Sequence, residues 1–177
     1  GQTVIPPVYH HMDAVFSDGL VFARAEESEG AYVDLHGRRV LSLADLQGGK
    51  ADWGSPFCHG RASVGRFSDV AGRSSQWYID KRGRPVGSIR FDWCGPFEGG
   101  NAWARMGEFW FLVDRMGQVV SHVGYSQVGP FSEDFAPVRV KETWGFVDRK
   151  GRLVVAPLHD RVWPFRVGIA QVQSGGR

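Results

Sequence analysis

Helical periodicity is missing from this chain, and so is any apolar run long enough to cross a membrane as a helix. No window places apolar residues at i, i+3, i+4 and i+7 over the dozen or so positions a helix needs. Cysteine is scarce: Cys58 and Cys94 stand alone with no Cys-x-x-Cys spacing, so neither a zinc site nor a disulfide framework is signalled. A reducing compartment is the default. Lysine is scarce too, at Lys50, Lys81, Lys141 and Lys150, and the remaining basic residues are arginine. That bias reflects either base composition or recognition of carboxylate and phosphate by the guanidinium fork. A net charge of +2 argues against a dedicated polyanion binder. No charged-then-apolar leader opens the sequence. It begins at Gly1-Gln2-Thr3-Val4-Ile5-Pro6-Pro7, in the middle of a repeat, so upstream partner domains would not be visible in it.

What the chain has in abundance is repetition. A residue pair ending in Phe recurs at Phe16, Phe57, Phe97, Phe131 and Phe165, preceded by Val15 in the first case and by Pro in the others. A second phrase, Asp-x-x-Gly, recurs at Asp34 with Gly37, Asp80 with Gly83, Asp114 with Gly117 and Asp148 with Gly151, and the last three copies of each phrase lie 34 residues apart. A period of that size means stacked supersecondary units, none able to bury its apolar face alone. These Phe, Asp and Gly columns are the expected structural repeat.

The copy from Pro130 to Trp163 shows the unit most clearly. Phe135 to Lys141 alternates apolar and polar residues, Trp144 to Asp148 does so again, and Leu153 to Ala156 follows as a third strand ended by Pro157. The intervening Asp148-Arg149-Lys150-Gly151 has an Asp to bond its own backbone and a Gly for positive φ, which is tight-turn chemistry. The segment before each Pro-Phe pair is the only connection too long for a hairpin, and an odd strand count places the change of direction there. The expected fold is therefore all-β: one domain over residues 1–177, a tandem repeat of three-stranded antiparallel sheets forming a β-solenoid or propeller-like array of about five repeats. These repeats fall at approximately 4–39, 40–85, 86–118, 119–152 and 153–177, the first and last incomplete. Val4 to Pro7 and Gly168 to Val172 match a third and a first strand. They either close a ring or mark a slice of a longer array.

The run Trp144-Gly145-Phe146-Val147-Asp148-Arg149-Lys150-Gly151, continuing to Ala156-Pro157 and then Pro164-Phe165, resembles the WG repeat family. The likeness is strong from Phe97 onward, clear at Val4 to Pro7 and at Phe16-Ser17-Asp18-Gly19-Leu20, and weakest between Leu41 and Gln76. The Trp-Gly position itself reads Gly30-Ala31, Gln76-Trp77 and Trp110-Phe111 in the first three copies. The resemblance implies a mostly bacterial, β-rich accessory repeat attached to varied partners, with no shared enzymatic residues. With the reducing compartment taken from the cysteines, the expectation is a protein of the bacterial cytoplasm, and function must be sought in the departures.

Those departures supply the candidates. Gly37 to Phe57 spans 20 residues against 14 in later copies, and Phe57 to Asp80 spans 23 against 17. The extra segments, Ser42 to Lys50 and Arg66 to Gln76, flank one sheet, and insertions in repeats tend to collect on a binding face. Trp53 and Trp93 share a column with Met12, Gln127 and Arg161, and with Arg66 and Arg73 they form the candidate ligand-binding set: aromatic anchors beside a polar rim. Trp110 and Trp144 read as core. The turns at His36 to Arg39, Lys81 to Arg84, Arg115 to Gln118 and Arg149 to Arg152 would line up as a basic ridge if the units stack in one orientation. Near-neutral charge and the lack of interleaved aromatics argue against nucleic acid. Cys58-His59 and the group His10, His11 and Asp13 are poor chemistry, because neighbours on a strand point to opposite faces. No pattern asks for a metal or cofactor. The expectation is a non-enzymatic module that binds another protein or a fused domain. A glycan or cell-envelope binder using the loop tryptophans is the alternative, and a sensor in bacterial conflict or defence is a further one.

Overall fold

A computed structural model of the chain describes residues 9–25, 29–67 and 74–175. The strand expected at Val4 to Pro7 lies outside them, as does Arg73. The described residues are all-β, in five small antiparallel sheets, none of which closes on itself. The first sheet holds β1 (His11–Met12), β2 (Leu20–Arg24), β3 (Ala31–Asp34) and β4 (Arg39–Ser42) in that order. The second holds β5 (Trp53–Gly54), β6 (Arg61–Arg66), β7 (Ser75–Asp80) and β8 (Pro85–Phe91). In the third, β9 (Trp93–Cys94), β10 (Asn101–Met106) and β11 (Phe109–Asp114) are followed by a broken fourth strand, reduced to bridges from Val119 to Val113 and from Tyr125 to Trp110. The fourth holds β12 (Gln127–Val128), β13 (Phe135–Val140), β14 (Thr143–Asp148) and β15 (Leu153–His159), and the fifth holds β16 (Arg161–Val162) and β17 (Val172–Gln173).

Complete sheets thus have four strands, where the sequence pattern predicts three. The looser segment before each Pro-Phe pair is not a connection. Its central two residues pair with the next sheet's long strand, as Trp53 does with Gly65 and Trp93 with Arg105. A two-residue strand is too short to leave a periodicity, which is why the pattern misses it. One residue, Asp92 or Asp160, separates the last strand of one sheet from the first of the next. Its carboxylate accepts a backbone N–H from the following hairpin, Gly107 for Asp92 at 2.6 Å and Gly175 for Asp160, and Asp52 does the same for Phe67 at 2.7 Å.

Two turn types repeat. One residue beyond each Phe, two residues with positive φ close a type I′ hairpin: Asp18-Gly19, His59-Gly60, Gly99-Gly100, Glu133-Asp134 and Val167-Gly168. At the Asp-x-x-Gly turns the expected chemistry is in place. Asp148 Oδ1 accepts the N–H groups of Lys150 and Arg152, both at 2.9 Å, while Oδ2 pairs with the Arg152 guanidinium. Asp34 with Arg38 and Asp80 with Arg84 repeat the arrangement.

The turn glycines share a left-handed backbone but not the same surroundings, so the Gly column is less uniform than its spacing implies. A Cβ on Gly117 or Gly151 would overlap a backbone carbonyl of the preceding unit, that of Val86 or Val120. Gly83 departs from this. It is buried, and a Cβ there would meet side chains, Leu41 at 2.6 Å and Leu46 at 3.1 Å, while its carbonyl accepts the Gln47 N–H at 3.3 Å. The extra residues of the first insertion have displaced the backbone contact that later copies make.

Partial burial pushes the Asp34, Asp80 and Asp148 carboxyls up, and the hydrogen bonds and guanidinium charge outweigh it, holding each below the ordinary carboxylate range. A depressed folded pKa stabilises above the unfolded value near ~4 and is lost as pH falls through the folded value. The melting temperature should therefore drop as pH falls from about 4 toward 2, and Asp148→Asn should flatten that slope while lowering stability at neutral pH. A pH-independent melting temperature across this window would contradict the assignment.

The sheets stack face on face, each interior one buried on both sides. One core joins Leu20, Phe22 and Tyr32 of the first sheet to Ala62, Val64, Trp77 and Ile79 of the second. Another joins Tyr78 and Phe91 of the second to Ala102, Ala104 and Val113 of the third, and a further one joins Trp103 and Trp110 to Ala136, Val138 and Val147. The recurrent Phe plugs these seams, its ring meeting an aromatic on the preceding sheet: Phe57 on Tyr32 and Phe97 on Tyr78, each at 4.7 Å, and Phe165 on Phe146 at 4.9 Å. Phe57 and Phe97 are fully buried, but Phe16, Phe131 and Phe165 are only half-buried, so the repeated Phe is not equally core in every copy.

One departure compensates another. Tyr32 and Tyr78 donate their hydroxyls to the Ser55 and Gly95 carbonyls of the next unit, and the third copy has Leu112 in that column. There Trp103 supplies both functions, stacking on Phe131 at 5.9 Å and donating its indole N–H to the Gly129 carbonyl at 3.1 Å.

Candidate functional site

The short first strands place one residue column along an edge of the stack. Hydrogen-bond register assigns this column to His11, Trp53, Trp93, Gln127 and Arg161. His11 takes the place expected of Met12, because the first copy carries one extra residue between Asp13 and Phe16. Trp53 is half-buried, its ring lying against Gly65, where a Cβ would come within 2.5 Å. Trp93 is 39% exposed and meets Trp110 edge-on at 5.3 Å.

Crevices open beside this column between successive units. The first, about 440 Å³, is lined by His11, Asp13, Phe22, Arg24, Trp53 and Phe67. A tighter one of about 180 Å³ lies between the third and fourth units against Trp93, Trp103, Asn101 and Phe131. A third, about 380 Å³, is walled by Pro137, Trp144, Arg161 and Trp163 between the fourth and fifth. The sequence pattern does not mark Phe67, whereas Trp163 is visibly odd in a column otherwise holding Asp13, Ser55, Gly95 and Gly129. Asn101 left no such signal.

The insertions behave differently from the expectation of a shared binding face. In the first, Leu43 and Leu46 are buried in the seam between the first and second sheets, so the segment is a plug of core, closed from the other side by the Gly83 turn. Arg90 ties it down, bonding the Gly48 carbonyl at 2.6 Å while its guanidinium lies 3.8 Å from the Trp77 ring. Leucines at Leu43 and Leu46 were the available signal. In the second insertion Arg66 and Phe67 are exposed beside β5, which leaves Trp53 and Arg66 near one another, and Arg73 lies outside the described residues.

In the basic turns expected to line a ridge, the first cation of the second, third and fourth copies is engaged by the type I′ turn of the preceding unit. Lys81 Nζ donates to the Asp18 carbonyl at 2.5 Å, Arg115 to the His59 carbonyl at 3.0 Å and Arg149 to the Glu98 carbonyl at 2.7 Å. Arg38, Arg84 and Arg152 are held by their own turn aspartates. Arg39, Arg82 and Lys150 remain on the exposed rim.

Cys58 and His59 sit in a type I′ turn and not on a strand, so their side chains converge, Sγ to Nδ1 at 3.3 Å. The opposite-face expectation fails there. The pair is still a poor nucleophile and base. Sγ donates to the Phe97 carbonyl at 2.9 Å, as Ser132 Oγ does to Phe165, and burial, with Asp18 and Glu98 adding to it, raises the thiol pKa. Burial pushes the Cys94 thiol up to about 12. Both cysteines are free. Thiol titration without reductant should count one slowly reacting group in the native protein and two after denaturation. A single group after denaturation would contradict the arrangement. Among the described residues no group of His, Cys, Asp and Glu could hold a metal ion, and no helix is long and apolar enough to cross a membrane.

The repeat unit has a match among known families: the model of the WG containing repeat covers residues 78–108, 110–144 and 144–177. The chain belongs to this family. In WG repeat terms the signature is legible in the fourth copy, where Gly145 lets the bulged β15 approach so closely that a Cβ would overlap the Val155 carbonyl. The signature tryptophans Trp110 and Trp144 are half-buried, against the expectation of core, and Trp144 lines a crevice. No curated protein matches the chain. Among solved structures, the computationally designed Ika8 protein is 14% identical with a TM-score of 0.46, the match covering 79% of this chain and 46% of that one. The computationally designed Ika4 protein is 18% identical with a TM-score of 0.48, covering 84% and 98%. The chain thus spans less than half the length of Ika8.

Proposed function

We propose that this WG repeat chain is a non-catalytic module that binds another protein or a fused domain in the bacterial cytoplasm, as a solenoid-like array of about five repeats. The observation that carries the reading is the row of aromatic crevices between units, where Trp93 and Trp163, 39% and 40% exposed, stand on one edge of the stack. Large aromatics at the centre of a patch with a polar rim supply much of the energy of protein contacts. Support for the non-catalytic half comes from the Cys58 thiol, which is used as a hydrogen-bond donor to the backbone. A glycan reading is favoured at one place only, the larger crevice where Trp53 faces His11, Asp13 and Arg24, because sugar hydroxyls need such partners. A double variant, Trp93→Ala with Trp163→Ala, should weaken capture of a protein partner by at least about tenfold without moving the urea midpoint by more than ~0.5 M. Unchanged capture by that variant would remove these crevices from the account.

A further inference from the structure

Strand register assembles the polar side of the first crevice. β1 and β2 set His11 opposite Arg24, and the Asp13 N–H bonds the Phe22 carbonyl at 3.0 Å, so alternation puts all four side chains on the face turned to the second unit. Later units carry Ser55, Gly95, Gly129 and Trp163 in the Asp13 column, so none of them places a carboxylate there. Asp13 Oδ2 is buried and accepts no hydrogen bond from any described residue. The other oxygen lies 3.7 Å from His11 Nε2, a contact that carries charge only when the imidazole is protonated. Arg24 lines the same crevice without pairing with Asp13: it donates to the Asp52 carbonyl, and its remaining guanidinium N–H groups bond no described residue. A buried carboxylate oxygen left in this way costs free energy, and a donor entering the crevice would recover it.

The lining restricts what that donor can be. One carboxylate and one guanidinium leave the crevice without net charge while His11 is neutral, so a cationic guest meets Arg24 and an anionic one meets Asp13. A purely apolar side chain would leave Oδ2 as it is. The fitting guest is neutral, rich in hydroxyls and apolar on one face. Its apolar counterpart is present in Trp53, whose ring packs on Gly65 and touches no other ring or cation among the described residues, and in Phe67 at the rim, 65% exposed. A sugar ring has that composition, with C–H groups on a face that stacks on indole and hydroxyls at the edge that both donate and accept. The volume of about 440 Å³ falls within the ordinary range of small-molecule sites, roughly 300–1,000 Å³. We infer that this crevice binds one pyranose ring of a neutral saccharide, stacked on Trp53, with one hydroxyl donating to the Asp13 carboxylate and another accepting from Arg24. Oδ2 meets the hydroxyl by rotation of the carboxylate about Cβ–Cγ, a soft torsion. This inference rests on the carbohydrate reading of this crevice and is independent of protein capture at Trp93 and Trp163.

The test is calorimetric titration of the intact chain with neutral hexasaccharides of glucose, N-acetylglucosamine, mannose or galactose, and with two charged ones, of glucosamine and of galacturonic acid. At least one neutral probe should bind saturably, with affinity lowered at least about tenfold in Trp53→Ala and in Asp13→Leu and unchanged in the double variant Trp93→Ala with Trp163→Ala. Asp13→Leu should melt no lower than the parent chain, because it removes an unsatisfied carboxylate and not a bond. That variant carries the test where Trp53→Ala, which loses packing on Gly65, fails to fold. A lower melting temperature for Asp13→Leu would mean that the carboxylate already has its partners, and would overturn the inference. Absence of saturable binding by every neutral probe would overturn it too, as would tighter binding of a charged probe or neutral binding that survives both crevice variants. Failure of the whole sugar panel leaves the protein-binding reading standing, whereas sugar binding lost only in the Trp93 and Trp163 double variant would overturn both.

Discussion

Phe97→Ala should lower the free energy of unfolding by about 3–5 kcal/mol, the range for truncating a fully buried Phe. The ring is sealed in the seam between the second and third sheets, 4.7 Å edge-on to Tyr78, and the neighbouring turn's Cys58 thiol holds its carbonyl. Truncation leaves a cavity between two units that each depend on the other to cover an apolar face. The same change at Phe131 should cost less, about 1–2 kcal/mol, because that ring is half-buried and its faces meet Trp103 and the Arg149 guanidinium. Urea melts of the two variants test the ordering. Equal losses would mean that the seam between the third and fourth units is as closed as its neighbour, and with it the crevice beside Trp93.

Gly117→Ala is the second large effect. Its φ of +76° is a left-handed conformation that costs a side chain about 1–2 kcal/mol, and a Cβ there would overlap the Val86 carbonyl of the preceding sheet. Overpacking against backbone adds about 1–3 kcal/mol, so the total expected loss is about 2–5 kcal/mol. Gly107 makes the control: its φ of +61° carries the same local strain, but a Cβ would meet nothing within 4 Å. Gly107→Ala should cost only the left-handed term. If the two variants melt alike, the turn glycine serves its own hairpin and not the stack.

Much of this architecture is written in the sequence at the level of single columns. The Asp-x-x-Gly turns and the recurrent Phe are both legible because they recur at fixed spacing, and recurrence separates structural residues from the rest. Gly117 and Gly83 show where the reading stops. The pattern identifies both as turn glycines, and only the stacked neighbours reveal that the Val86 backbone excludes a side chain at one, while Leu41 of β4 and the inserted Leu46 crowd the other. The short first strands leave too few residues to register as alternation, so Trp53 and Trp93 read as loop residues when they belong to a sheet edge. The opposite-face expectation for Cys58 and His59 fails for the same kind of reason. A dipeptide before Gly60 signals a turn as well as a strand, and the turn brings the side chains together.

The binding edge is tested most directly by photo-crosslinking the intact chain to its partner from defined positions. A benzophenone residue at Arg105, beside Trp93, or at Arg161, beside Trp163, should give crosslinks to a partner protein. The same residue at Arg82 or Lys150, on the opposite candidate surface of turn tips, should give none. Crosslinks confined to Arg82 and Lys150 would contradict the account and move the function to the basic ridge.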